Sequence, residues 1–253
     1  MRSDSGKITW SPVHILGEER DSRWLILCDH ATNRIPESVG RGSLGISDED
    51  MARHIAYDPG AAGVSIRLAE KLGAPVVLSD FSRLVIDPNR GEDDPTLVMR
   101  LYDGTIIPAN RHVDEAETKR RLDLFYRPYH DAVTRMAARQ EDTVIVAVHS
   151  FTPQFRHRAP RPWHIGLLFS EDERLSRPLI RLLENEPGLI VGANVPYSGH
   201  LKGDTIDRHA IAAGRQNTLI EIRNDLIQYD DGQAAWADRL ARILPDALRE
   251  AET

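Results

Sequence analysis

Apolar positions along the 253-residue chain fall into two alternating rhythms. Unbroken apolar runs, WLILC at 24–28 and TVIVAV at 143–148, have the composition of strands covered on both faces of a sheet. Between such runs the apolar residues recur at helical spacing, as with Val64, Leu68 and Leu72 in residues 60–72, a stretch that stops at Gly73. The same rhythms predict strands at 75–78, 83–86, 164–169 and 218–222, and helices at 47–55, 173–185, 205–213 and 233–250. A helix at 114–140 is expected to be the longest. It opens on an Asp114…Glu117 capping box and carries Glu115/Lys119, Glu117/Arg121 and Asp123/Arg127 pairs, with Pro128 kinking or dividing it. Helices interleaved with strands imply an α/β fold, a mixed and largely parallel sheet flanked by helices on both faces. No repeat or linker divides the chain, so residues 1–253 read as a single domain. Polar stretches at 90–95, 156–162 and 195–203 read as loops that build a site.

Composition narrows the function classes. With 41% hydrophobic and 28% charged residues the chain is an ordinary globular protein. A net charge of −7 argues against a sequence-blind phosphate-binding surface, and so against nucleic acid as partner. Abundant arginine still suits small anionic substrates. The single cysteine, Cys28, cannot form an internal disulfide and fits a reducing compartment. The first ten residues lack the apolar stretch of a secretory signal, and no run approaches the ~20 apolar residues that span a bilayer. A cytoplasmic protein with no membrane partner is expected.

The candidate chemistry sits where strands end. His30, His149 and Glu221 each lie at the far end of an apolar run, where ligands gather in an open α/β sheet. Two imidazoles and a carboxylate there are the minimum of a metal site with a general base. Each has a plainer reading: a structural histidine, or a Glu221 paired with Arg223 or Arg215. Asp58, in YDPG, is either a helix cap or the oxygen ligand that completes a His/His/carboxylate set. In SRLVIDPNR, Arg83, Asn89 and Arg90 suit a substrate carboxylate, against the alternative of an Asp87–arginine salt bridge. SGHLKGDTIDRH, with His200, Lys202, Asp204, Asp207, Arg208 and His209, reads as a mobile polar loop over the site or as a solvated connection. The glycine string GRGSLG at 40–45 does not follow a strand, and Asp48, Glu49 and Asp50 would repel a pyrophosphate, so a dinucleotide site is rejected. A Cys28–His30 thiol dyad is also set aside, since a strand-interior cysteine is usually inert.

Six segments in order, CDHATNRIP, YDPGA, SRLVIDPNR, VHSFTP, NVPYSGHLKGDTIDRH and LIEIRNDLI, resemble the N-formylglutamate amidohydrolase family over residues 24–229. The resemblance implies a fold related to zinc carboxypeptidases and to the succinylglutamate desuccinylase and aspartoacylase group. It implies one zinc ion and hydrolysis of an N-acyl amino acid, N-formyl-L-glutamate first. Another N-acyl amino acid, or an anion-binding relative without catalysis, is the alternative. By position, His30 and His149 resemble metal ligands and Glu221 the general base. Asn89 and Arg90 resemble substrate contacts, and His209 falls where members carry a histidine after the glycine loop. Arg83 or Arg223 would join Arg90 on the substrate carboxylates. Where the carboxypeptidase-like pattern has a glutamate, this chain has Asn33, which leaves Asp58 as the candidate third ligand.

Overall fold

A computed structural model describes residues 10–199 and 201–253. In chain order the elements are β1 (Val13–Leu16), β2 (Trp24–Cys28), α1 (Asp48–Met51), α2 (Ala61–Lys71), β3 (Val76–Ser79), β4 (Leu101–Tyr102), β5 (Thr105–Ile106), α3 (Glu115–Arg121) and α4 (Arg127–Ala137). They continue with β6 (Val144–Phe151), β7 (Ile165–Leu168), α5 (Ser176–Glu184), β8 (Val191–Ala193), α6 (Thr205–His209), β9 (Asn217–Arg223) and α7 (Asp230–Ala251).

Seven strands form one sheet in the order β1-β3-β2-β6-β9-β7-β8. The central four are parallel, β1 runs antiparallel to β3, and β7 runs antiparallel to β9. Side-chain alternation then builds two cores. Trp24, Ile26, Cys28, Val144, Val146, Ile220 and Ile222 pack beneath α2, α5 and α7. Leu25, Leu27, Ile145, Ala147 and Leu219 pack beneath α4, with Phe125, Tyr126 and Tyr129. Both faces are covered, as the unbroken apolar runs require. From β2 the chain crosses by α2 to β3 on one side, while β6, the other neighbour of β2, leads to β9. Strand order therefore reverses between β2 and β6, which opens a crevice beyond their carboxyl ends. Among the described residues no helix is long and apolar enough to cross a membrane.

Three expectations are corrected. Residues 83–86 form a turn rather than a strand. Leu84, Val85 and Ile86 are buried as the apolar run demanded, but the backbone N–H groups of Arg83, Val85 and Asp87 donate to Ala56, Ser82 and Leu97 instead of a neighbouring strand. The 114–140 helix is divided, as its proline led one to expect, with a π-helical turn at Leu122–Tyr126 between α3 and α4, so it is not the longest. Pro128, without an N–H, cannot continue regular pairing across that junction. The longest α-helix is therefore α7, at 22 residues. Asp114 caps α3 by accepting from the Glu117 N–H at 2.9 Å, but the Glu117 carboxylate pairs with Arg120 and Arg121 and does not complete the box. The string at 40–45 is an irregular turn with Gly40, Gly42 and Gly45 at positive φ.

Candidate active site

Two strands bring the chemistry together by register. In the parallel β6–β9 pair His149 stands opposite Glu221, and both share the face of Ala147 and Leu219. Asp29 and His30 follow directly on the last residue of β2. The Asp58 N–H donates to the His30 carbonyl at 2.9 Å, which pins the YDPG turn to the end of that strand. Asp58 is thus held in front of both imidazoles, and His30, Asp58 and His149 are 1%, 1% and 2% exposed.

Each imidazole is oriented by a carboxylate behind it. His30 Nε2 lies 2.7 Å from Asp87 Oδ1, and His149 Nε2 lies 2.9 Å from Asp29 Oδ2. A carboxylate only accepts, so each Nε2 carries a hydrogen, and each Nδ1, which also faces a carboxylate, either carries a second hydrogen or gives its lone pair to a cation. Those Nδ1 atoms face Asp58 Oδ2, at 3.3 Å from His30 and 2.9 Å from His149. One oxygen and two nitrogen donors within 4.8 Å of one another, all electron-rich, repel unless a proton or a cation lies among them. Nitrogen and oxygen donors on oriented histidines are what a divalent ion of the zinc type takes, so the residues fit such a group.

The surrounding charges are arranged to keep the cluster ionised. Asp29 is fully buried, yet the His149 hydrogen bond and the His149 and His30 charges draw its carboxyl down to about 2. Burial works against Asp58 as well, but the charges of His30 and His54 and the His149 hydrogen bond hold it well below the ordinary range. Asp87 is held low, despite its burial, chiefly by Arg83, whose Nε and Nη2 donate to Oδ2 at 3.1 and 2.7 Å. Arg83 Nη1 also stands 3.5 Å from Asp58 Oδ1. The other neighbour of that oxygen is His54 Nδ1, at 3.2 Å.

Glu221 has the opposite character. It is 6% exposed, its Oε2 has no hydrogen-bond partner among the described residues, and burial pushes its carboxyl up to about 7. A carboxylate so placed is a proton acceptor near neutral pH. It borders a cavity of about 250 Å³ together with His30, His149, Arg90, Tyr102 and Tyr197, a volume suited to a small substrate.

The expected substrate contacts divide. Asn89 and Arg90 line this cavity. Arg90 donates to the Asn89 carbonyl and to Thr96 Oγ1, and it has no carboxylate partner among the described residues, so its charge is available. Arg83 also lines the cavity, but the salt-bridge alternative is realised and its charge is committed to Asp87 and Asp58. His209 is not brought to the cavity: one turn beyond the N-terminus of α6 it faces α4, where its Nε2 lies 2.8 Å from His130 Nδ1. Arg223 is not brought there either. It ends β9 opposite Phe151, and its side chain turns onto Asp225 at 2.8 Å. Asn33 is spent on the Met51 carbonyl, which leaves Asp58 as the carboxylate between the histidines. His200 lies outside the described residues.

Asp29, His54, Tyr102, Tyr197 and Asp204 were not singled out by sequence for the roles they take here. Asp29 adjoins His30, but a strand-end aspartate is too common to be a signal. Tyr102 comes from the β4–β5 hairpin and Tyr197 from the loop after β8, so only the fold brings them in. Asp204 caps α6 by accepting from the Asp207 N–H, and burial raises its carboxyl to about 6.

The sequence profile described as N-formylglutamate amidohydrolase matches residues 22–228. A gene product from Agrobacterium tumefaciens of known crystal structure superposes with a TM-score of 0.91 at 36% identity, covering 96% of this chain and 97% of its own. The N-formylglutamate amidohydrolase from Ralstonia eutropha JMP134 superposes with a TM-score of 0.71 at 23% identity, covering 96% and 98%, a likeness of fold. An N-formylglutamate deformylase from Pseudomonas putida is 32% identical over 125 residues, which are 44% of this chain and 43% of the relative's length.

Proposed function

The chain belongs to the N-formylglutamate amidohydrolase family, and on that premise we propose that it is a metal-dependent hydrolase of an N-acyl amino acid, N-formyl-L-glutamate in the first place. One observation carries the reading. His30 Nδ1, His149 Nδ1 and Asp58 Oδ2 converge beside a buried Glu221 whose Oε2 has no partner among the described residues.

His30, His149 and Asp58 would hold the ion, with Asp87 and Asp29 fixing the imidazoles from behind. Zn²⁺ bound there would bring the pKa of water towards ~7 and polarise the acyl oxygen. Arg90 pairs with a substrate carboxylate, and Asn89 orients it with its amide. Together they set the formyl carbon before Glu221 in the cavity that all three line. Glu221 takes a proton from the attacking water as the water oxygen adds to the formyl carbon. It returns that proton to the departing nitrogen as the C–N bond breaks, leaving formate and L-glutamate.

The test is formate release from N-formyl-L-glutamate by protein supplied with divalent metal, beside acetyl, succinyl and peptidyl analogues. Turnover of the formyl substrate supports the proposal. Turnover of another acyl group alone moves it to that substrate, and binding without turnover of any of them overturns it.

A further inference from the structure

The loop after β8 lies against β7 only because two glycines allow it. Gly166 is the β7 partner of Glu221, and a Cβ there would stand 1.9 Å from the Val195 carbonyl oxygen. A Cβ on Gly199 would stand 2.2 Å from the Phe169 backbone nitrogen. The segment from Val195 to Gly199 carries Tyr197 onto the wall of the cavity that Glu221 also lines, where burial and then the Glu221 carboxylate oppose ionisation of the phenol.

Among the described residues the hydroxyl of Tyr197 is held from one side. Arg161 Nη1 donates to its oxygen at 3.3 Å and to the Thr152 carbonyl at 3.1 Å. Arg161 has no carboxylate partner among the described residues. Its guanidinium instead lies over the rings of Phe155, Tyr197 and Phe151, at 4.1, 5.1 and 5.7 Å. An acceptor site on the phenol oxygen is therefore filled by a cation's N–H, while its own O–H has no acceptor among the described residues. A donor polarised in this way, beside a general base, needs an oxygen that gains charge during the reaction.

Resting on the amidohydrolase reading, we propose that Tyr197 is a further catalytic residue, donating its O–H to the acyl oxygen as the water adds, and that Arg161 is its positioning residue. The O–H···O bond strengthens as negative charge develops on that oxygen, so it acts on kcat more than on KM.

The experiment compares wild type, Tyr197→Phe, Arg161→Ala and Arg161→Lys, each metal-replete, for formate release and thermal unfolding. Tyr197→Phe is expected to lower kcat by ~10²-fold, the scale of one lost donor to a developing oxyanion, with KM changed less than ~3-fold and metal content unchanged. Arg161→Ala is expected to lower kcat by a smaller factor that Arg161→Lys partly restores. Wild-type turnover with kcat of Tyr197→Phe within ~3-fold of it refutes the catalytic role alone, as does a rise in KM at constant kcat. A wild type that releases no formate and hydrolyses no analogue overturns the amidohydrolase reading, and this assignment with it.

Discussion

Replacing Asp87 by asparagine tests the carboxylate framework behind the metal ligands. Asp87 is fully buried. It accepts from His30 Nε2 at 2.7 Å, from Arg83 at 3.1 and 2.7 Å, and from the Asn89 N–H at 2.9 Å. An amide has the same shape but no charge and only one acceptor oxygen, so it cannot serve His30 and Arg83 together. Arg83, 6% exposed, then keeps among the described residues only Asp58 as counter-charge, at 3.5 Å. Breaking a buried ion pair by removing one partner costs about 3–5 kcal/mol. In a domain of this size each kcal/mol moves Tm by about 2–4 °C, so a fall of roughly 6–20 °C is expected for the metal-free protein. Losing the group that orients a ligating histidine costs a further ~10–100-fold in metal affinity. Calorimetry gives the first quantity and competition with a chromogenic chelator the second. Adding Arg83→Met to Asp87→Asn should recover part of the lost Tm, because no unpaired cation remains, without recovering metal affinity. A single variant with Tm within ~2 °C of wild type and unchanged affinity would refute the reasoning.

Three further outcomes are expected. Because burial raises Glu221 to about 7 and a bound cation would draw it down, kcat/KM should fall on the acid side with an apparent pKa between the ordinary ~4.3 of glutamate and about 7; a pH profile flat down to pH 4 speaks against Glu221 as base. His130 and His209 are buried neutral, lowered by desolvation and then by neighbouring positive charge to about 3 and about 4. Their unfolded forms protonate first, near ~6.5, so stability is full above that pH and declines below it by up to about 1.4 kcal/mol per pH unit for each histidine. Urea melts from pH 7 to 4.5 should show a shallower decline in the His130→Gln/His209→Gln variant, and equal slopes would count against the pair. Gly166→Ala should push the Val195–Gly199 backbone off β7, costing about 1–3 kcal/mol by overpacking. It should also lower kcat/KM by at least tenfold, and a variant with wild-type turnover would show that loop placement is not critical.

How much of this was legible in the sequence depends on the range of the signal. β2, β6, β9, α2 and α7 follow from local apolar rhythm, because strands buried on both faces and helices with one buried stripe leave plain patterns. The edge strands β1 and β8 are short and half-exposed, so they leave none. Residues 83–86 carry the composition of a strand, but their backbone partners are distant in sequence. Within the site, His30 and Asp58 stood just beyond a strand and just before a helix, and His149 and Glu221 late in their apolar strands, near the carboxyl ends where the fold collects ligands. Arg83 and Arg223 were assigned by charge and His209 by its place in the family motif, and neither signal reveals the partner a side chain already holds. Tyr197 could not be foreseen, since its place depends on two glycines and an arginine from three separate segments.

The central claim is that His30, His149 and Asp58 bind one divalent ion. Protein stripped with a chelator and titrated with Zn²⁺ in a calorimeter should bind one equivalent, releasing protons to the buffer as His149, kept protonated against its burial by Asp29 and Asp58, gives up a hydrogen for the metal. His30→Ala and His149→Ala should abolish that binding, while Glu221→Gln should keep it and lose activity by at least ~10²-fold. Stoichiometric binding that survives both histidine substitutions, or full hydrolytic activity in metal-free protein, would contradict the account.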